Sequence, residues 1–150
     1  MKKTMLKTGR KVTTRIKFNI SQWSNERMSE FKKIVCLDFD GVIHSYTSGW
    51  QGACSIVDEP VEGAINYIRE LLDEGFEVGI YSSRSKERGA IQAMKVWLSK
   101  WGLDERSLSE LKFYTEKPPA HVTIDDRAIQ FRGHFPSIWY IKEFKPWNKQ

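Results

Sequence analysis

This chain of 150 residues predicts an α/β fold built on a parallel sheet, with helices on both faces. Two observations carry that expectation. From Lys33 onward, short apolar runs of strand length alternate with longer stretches whose apolar residues recur at helical spacing, the pattern of parallel strands joined by helical crossovers. The chemistry-bearing residues Asp38, Ser82 and Asp125 each fall where an apolar run stops. In open parallel sheets, ligands bind beyond the carboxyl ends of the strands.

Taken in order, Ile34–Asp38 reads as the first strand. Residues 43–57, with His44, Tyr46, Gly49, Trp50 and Gly52, suit an irregular loop or a β-hairpin. Glu59-Pro60 opens a helix, since Pro is favoured in a first turn. Ala64, Ile65, Ile68, Leu71 and Leu72 form its apolar face and Gly75 ends it. Phe76–Tyr81 is a second strand, running into Ser82-Ser83-Arg84. A helix from about Lys86 to Lys100 follows, with Ile91, Met94, Trp97, Leu98 and Trp101 as core positions. Leu111–Tyr114 and His121–Ile124 are short strands separated by Lys117-Pro118-Pro119, and Ile138–Ile141 is read as a last strand.

Such a chain fits one domain with a real core. Its 40% hydrophobic content is globular, and no apolar run is long enough to span a membrane. The net charge of +5 is unevenly placed. Residues 1–30 hold eight Lys/Arg against Glu26 and Glu30, whereas residues 31–150 hold sixteen against seventeen Asp/Glu. Two segments follow: a basic arm over 1–30 and a near-neutral domain over 31–150. The arm reads as a solvated tail, a contact for nucleic-acid phosphates, or a presequence-like segment. Cys36 and Cys54 do not make a disulfide framework, which favours a reducing, intracellular setting.

Asp38-Phe39-Asp40-Gly41-Val42 is the most specific feature. Side chains on a strand alternate faces, so Asp38 and Asp40 start on the same side. Two like charges at the end of a buried strand need a cation or a proton to relieve their repulsion. A divalent metal with oxygen ligands does so. His44, His121 and His134 show no zinc spacing.

Over about residues 33–145, the chain resembles the haloacid dehalogenase superfamily, in its Asp-x-Asp phosphatase branch. Asp38-Phe39-Asp40-Gly41-Val42 is similar to its first motif, Ser82 after Gly79-Ile80-Tyr81 to the second, Lys117 to the third, and Asp125-Asp126 after Val122-Thr123-Ile124 to the fourth. His44 to Trp50, Asp125-Asp126-Arg127-Ala128 and Pro146-Trp147 resemble small phage-type members. Ser82-Ser83-Arg84 resembles the Ser-Gly-Arg of the phosphatase module in polynucleotide kinase-phosphatases; no kinase P-loop is present. The resemblance implies a three-layer, Rossmann-like sheet. About forty residues separate the first and second motifs and thirty-five separate Ser82 from Lys117, so neither gap holds a separate cap domain.

The resemblance also implies roles. Asp38 is the expected nucleophile, forming an aspartyl-phosphate, and Asp40 the general acid/base. Ser82 and Lys117 hold the transferring phosphoryl group. Mg²⁺ is held by Asp38, the Asp40 carbonyl and Asp125. Gly41 allows a sharply turned backbone. Substrate contacts are expected from Ser82, Ser83 (the rival of Ser82), Arg84, Lys117, Gly41 and Trp50, and Tyr46 is a candidate for the mouth. Asp126 is read as a metal or Lys117 support, and Arg127 as an ion-pair partner of the acids. The expected activity is hydrolysis of a phosphomonoester: a nucleotide, another small phosphate or a phosphorylated nucleic-acid end. A non-catalytic metal- or nucleic-acid-binding accessory protein is the alternative. A signalling receiver fits poorly, because its paired acids come first in the chain and its phosphorylated Asp later.

Overall fold

Strand β1, Ile34–Leu37, lies inside a four-stranded sheet of order β3-β2-β1-β4 in which every pairing is parallel. Strand β2 spans Glu77–Tyr81, β3 Lys112–Tyr114 and β4 Val122–Ile124. The computed structural model describes residues 32–150, so the basic arm of residues 1–30 and its nucleic-acid role lie outside the described residues. Among those residues, no helix is long and apolar enough to cross a membrane.

Register decides which side chains share a face. Val35 sits opposite Val78 and Val122, and Leu37 opposite Ile80 and Ile124. Strand alternation places this set on one side of the sheet. Helices α1 (Ala64–Asp73) and α2 (Ala90–Lys100) close that side with Ile68, Leu71, Met94, Trp97 and Leu98, and Leu108 of the short α3 (Glu105–Glu110) packs against the same core. Residues of both main helices join the same core cluster as Val35, Leu37, Val78 and Ile80, which puts these helices on a common face; crossovers of the usual right hand in the order β1-β2-β3 give that arrangement. Among the described residues, these three helices therefore form one layer on the sheet, as a Rossmann-like layout requires of one face. The opposite face carries Cys36 and Gly79 in register. A Cβ at Gly79 would lie 2.5 Å from the Tyr114 ring, so its missing side chain is the space the ring occupies.

Both main helices start later than their composition predicts. Residues 59–61 are taken by pairing with residues 43–45: Ser45 N–H donates to Glu59 O at 2.9 Å and Val61 N–H to Ile43 O at 2.9 Å. Helix α1 begins only after Gly63. Ahead of α2, Ser83–Lys86 forms a separate 3-10 turn. Neither helix has a capping side chain. A missing cap costs about 1 kcal/mol, whereas each buried Ile, Leu or Met on their inner faces contributes about 1.5–3 kcal/mol, so packing decides.

Two further expectations are corrected. Ile138–Ile141 is not a strand but the start of helix α4, Ile138–Glu143. Its β-branched and aromatic residues favour a strand, but Ser137 accepts a hydrogen bond from Tyr140 N–H at 3.1 Å and caps a helix. Trp101 is not core: it is 41% exposed and leans on Trp97 from outside.

Candidate active site

Asp38 and Asp40 leave the end of β1 together but reach different surroundings. The chain wraps tightly after the strand: Ile43 and His44 N–H both donate to Phe39 O, at 3.0 and 2.8 Å, and Gly41 N–H donates to His44 O at 2.8 Å. Gly41 is required twice over. Its φ of +91° is left-handed, and a Cβ there would meet Asp126 Oδ2 at 2.5 Å. The same wrap brings His44 beneath Asp40.

Asp40 is gripped from two sides. Arg84 donates from Nε to Oδ2 and from its terminal nitrogen to Oδ1, both at 2.8 Å, a bidentate charge-assisted pair. His44 Nδ1 makes a 2.8 Å bond to Oδ1. Since His44 Nε2 accepts from Asp58 N–H at 3.3 Å, the proton of a neutral ring belongs on Nδ1, which donates to Asp40. Burial raises the Asp40 carboxyl, but the bonds from His44 and Arg84 outweigh it and hold the group below the usual carboxylate range. Oδ2 has one protein donor and a lone pair left for the pocket.

Arg84 is therefore not a free phosphate ligand. It is completely buried, its other donors go to Gly52 O and Ala53 O, and its guanidinium lies 4.9 Å from the centre of the Trp50 ring. Trp50 covers Arg84 and is not part of the pocket wall.

Asp38 lies in an acidic cluster. Carboxylate oxygens of Asp38, Asp125 and Asp126 lie within 4.8 Å of one another. Burial pushes the Asp38 carboxyl up to about 7, helped by the charges of Asp125, Asp126 and Asp40 and opposed by the Phe39 N–H bond. Burial likewise raises Asp126, whose Oδ1 is buried without a hydrogen-bond partner among the described residues. An unpartnered buried oxygen and three crowded carboxylates fit a hard divalent cation. Asp126 stands in this cluster beside the expected Asp38 and Asp125, and the Asp40 side chain is engaged by Arg84 and His44, which leaves its expected role through the backbone carbonyl untouched.

A pocket of about 310 Å³ opens over these groups, lined by Asp38, Asp40, Tyr46, Tyr81, Ser83, Asp125 and Arg127. Ser82 is buried and accepts a hydrogen bond from Arg84 N–H at 3.4 Å, capping the 3-10 turn, so Ser83 is the hydroxyl at the pocket. Lys117 is exposed and outside the wall. Its charge still reaches the strand ends, where it partly offsets the rise of the Cys36 thiol caused by burial and by Asp38. The cation in the wall is Arg127, whose Nε is 3.9 Å from Asp126 Oδ2.

Sequence reasoning undervalued His44 and did not single out Tyr81. A four-residue spacing from Asp40 to His44 was the available signal for the first, and the strand-end position for the second. Comparison with protein-family models, with curated proteins and with solved structures found no match to this chain.

Proposed function

We propose that this chain is a Mg²⁺-dependent phosphomonoester hydrolase of the haloacid dehalogenase type, without a cap domain, acting through an aspartyl-phosphate on Asp38. One observation carries the reading: two aspartates from one strand end meet different surroundings, Asp38 in a three-carboxylate cluster suited to a cation and Asp40 in a bidentate pair with Arg84 and a bond from His44. Paired groups with opposed environments are the mark of divided catalytic roles. The four-stranded parallel sheet, with both aspartates beyond its carboxyl edge, is compatible with that family's layout.

Asp38, Asp125 and Asp126 would hold the cation, which neutralises the cluster and offsets charge on the phosphoryl oxygens. An Asp38 oxygen adds to phosphorus as the bond to the ester oxygen breaks, and the departing oxygen takes its proton from solvent water in the open pocket. In the second step a water adds to phosphorus, its proton passes to Asp40 Oδ2, and the Asp38 carboxylate is released with phosphate. Asp40, held ionised, suits the base of this step better than the acid of the first. Ser83 and Arg127, in the pocket wall, would bind the non-reacting phosphoryl oxygens, with Lys117 adding charge from outside.

Phosphate release from p-nitrophenyl phosphate, with and without Mg²⁺ and beside Asp38→Asn, tests the reading. Metal-dependent turnover that the variant loses supports it. Failure to hydrolyse this ester, mononucleotides and phosphorylated oligonucleotides alike would reject it.

A further inference from the structure

We propose that residues 127–149 form a track for single-stranded nucleic acid that leads a terminal phosphate into the Asp38 pocket. The proposal rests on the phosphatase reading and names the substrate class for it.

Charge is the first observation. Residues 127–150 hold five Lys/Arg and a single acid, Glu143, whereas residues 32–126 hold sixteen acids against eleven Lys/Arg. Among the described residues, a phosphate ester approaching this acidic body meets a strip of opposite sign here. Aromatic exposure is the second. Phe135 is 86% exposed, Trp139 71% and Phe131 61%, and the Phe131 and Phe135 rings lie 5.2 Å apart, tilted by 50°. Exposed rings interleaved with Arg132 and Lys142 are what a sequence-tolerant single-strand surface requires, bases stacking on the rings while cations follow the phosphates.

The third observation is continuity with the pocket. The strip starts at Arg127 in the pocket wall and returns at Trp147, whose Nε1 donates to Gly41 O at 2.7 Å. Asn148 Nδ2 donates to Ser45 O at 3.2 Å, fastening the same segment beside the turn that follows Asp40. The aromatic and basic residues between are thus tethered at both ends to the reacting groups. A second copy of the chain is a poorer occupant, because pairing this strip with itself brings two positive surfaces together.

The test uses the full chain, with Phe135→Ala/Trp139→Ala and Arg132→Glu/Lys142→Glu as separate double variants at exposed positions. The probe is a labelled single-stranded oligonucleotide of about 12 nucleotides, carrying a 3′-phosphate in one arm and a 5′-phosphate in the other. Anisotropy and kcat/KM are read between about 50 and 200 mM salt, with p-nitrophenyl phosphate as the small-substrate control. We expect each variant to weaken oligonucleotide binding by about tenfold or more, the charge reversals also to flatten the salt dependence, and the ratio of oligonucleotide to p-nitrophenyl phosphate turnover to fall. Oligonucleotide binding unchanged in both variants, or absent from the parent at low salt, overturns the proposal. So does a parent dimer that the aromatic variant converts to monomer while oligonucleotide binding is unaffected. Hydrolysis of p-nitrophenyl phosphate without patch-dependent oligonucleotide binding would reject the track and leave the phosphatase reading standing. Patch-dependent binding with no turnover of any ester would support the track and reject the phosphatase.

Discussion

Arg84 holds Asp40 through two bonds of 2.8 Å, although 44 residues separate them in the chain. The pair joins the strand end that carries the aspartates to the turn that follows β2.

Breaking the pair should be costly in one direction and mild in the other. Arg84→Met leaves a mostly buried carboxylate with only His44, and a loss of about 3–5 kcal/mol in unfolding free energy is expected. Arg84→Met combined with Asp40→Asn removes both charges and should recover part of that loss. Urea denaturation of the two single variants and the double variant measures the coupling; a strictly additive result would show that the pair does not matter to stability.

Asp40 as the base of the second step predicts a separation of the two half-reactions. Asp40→Asn should still release p-nitrophenol in a burst close to one equivalent, because that leaving group needs no protonation, and then turn over at least about 10²-fold more slowly. Rapid-quench measurement reads the burst. A variant that loses the burst and the steady state equally would place Asp40 in the first step instead.

The raised Asp38 carboxyl makes the metal-free protein sensitive to pH in a definite direction. Its folded value of about 7 lies above the ordinary 3.8, so the stability from this group is fully present below about 4 and is lost as pH rises toward about 7. Thermal melts without metal should show this fall, and Asp38→Asn should reduce it. Mg²⁺ requires the deprotonated carboxylate, so its affinity should rise over the same interval. Calorimetric titrations that show no tightening with pH would separate Asp38 from the metal.

Gly41→Ala combines left-handed strain with a push against Asp126. A loss of about 1–3 kcal/mol in stability is expected, together with weaker Mg²⁺ binding, because Asp126 Oδ2 must move. Unchanged metal affinity would remove Asp126 from the cation site.

The two serines after β2 should behave differently. Ser83→Ala should lower kcat/KM by about tenfold, the loss of one hydrogen bond to a charged group, and leave stability nearly intact. Ser82→Ala removes the acceptor for Arg84 N–H and should cost about 1 kcal/mol of stability. A reversed pattern would return the phosphoryl contact to Ser82.

Much of this molecule is written locally. The apolar run ending at Leu37 and the period of two along it place Asp38 and Asp40 on one side of a strand end, and the helical spacing of Ile68, Leu71, Met94 and Leu98 marks the faces that cover the sheet. These are properties of neighbours in the chain, set by backbone geometry and apolar burial, and they were enough for the α/β class, the parallel sheet and the location of the acidic pocket. Which partner each side chain takes is not a local property. Asp40 is bound to Arg84 rather than to the acidic cluster, Asp126 completes that cluster, Ser83 rather than Ser82 faces the pocket, and Arg127 rather than Lys117 lines it. Those choices were made only when segments tens of residues apart converged, because a buried charge goes to whichever donor or cation the fold brings within hydrogen-bond distance.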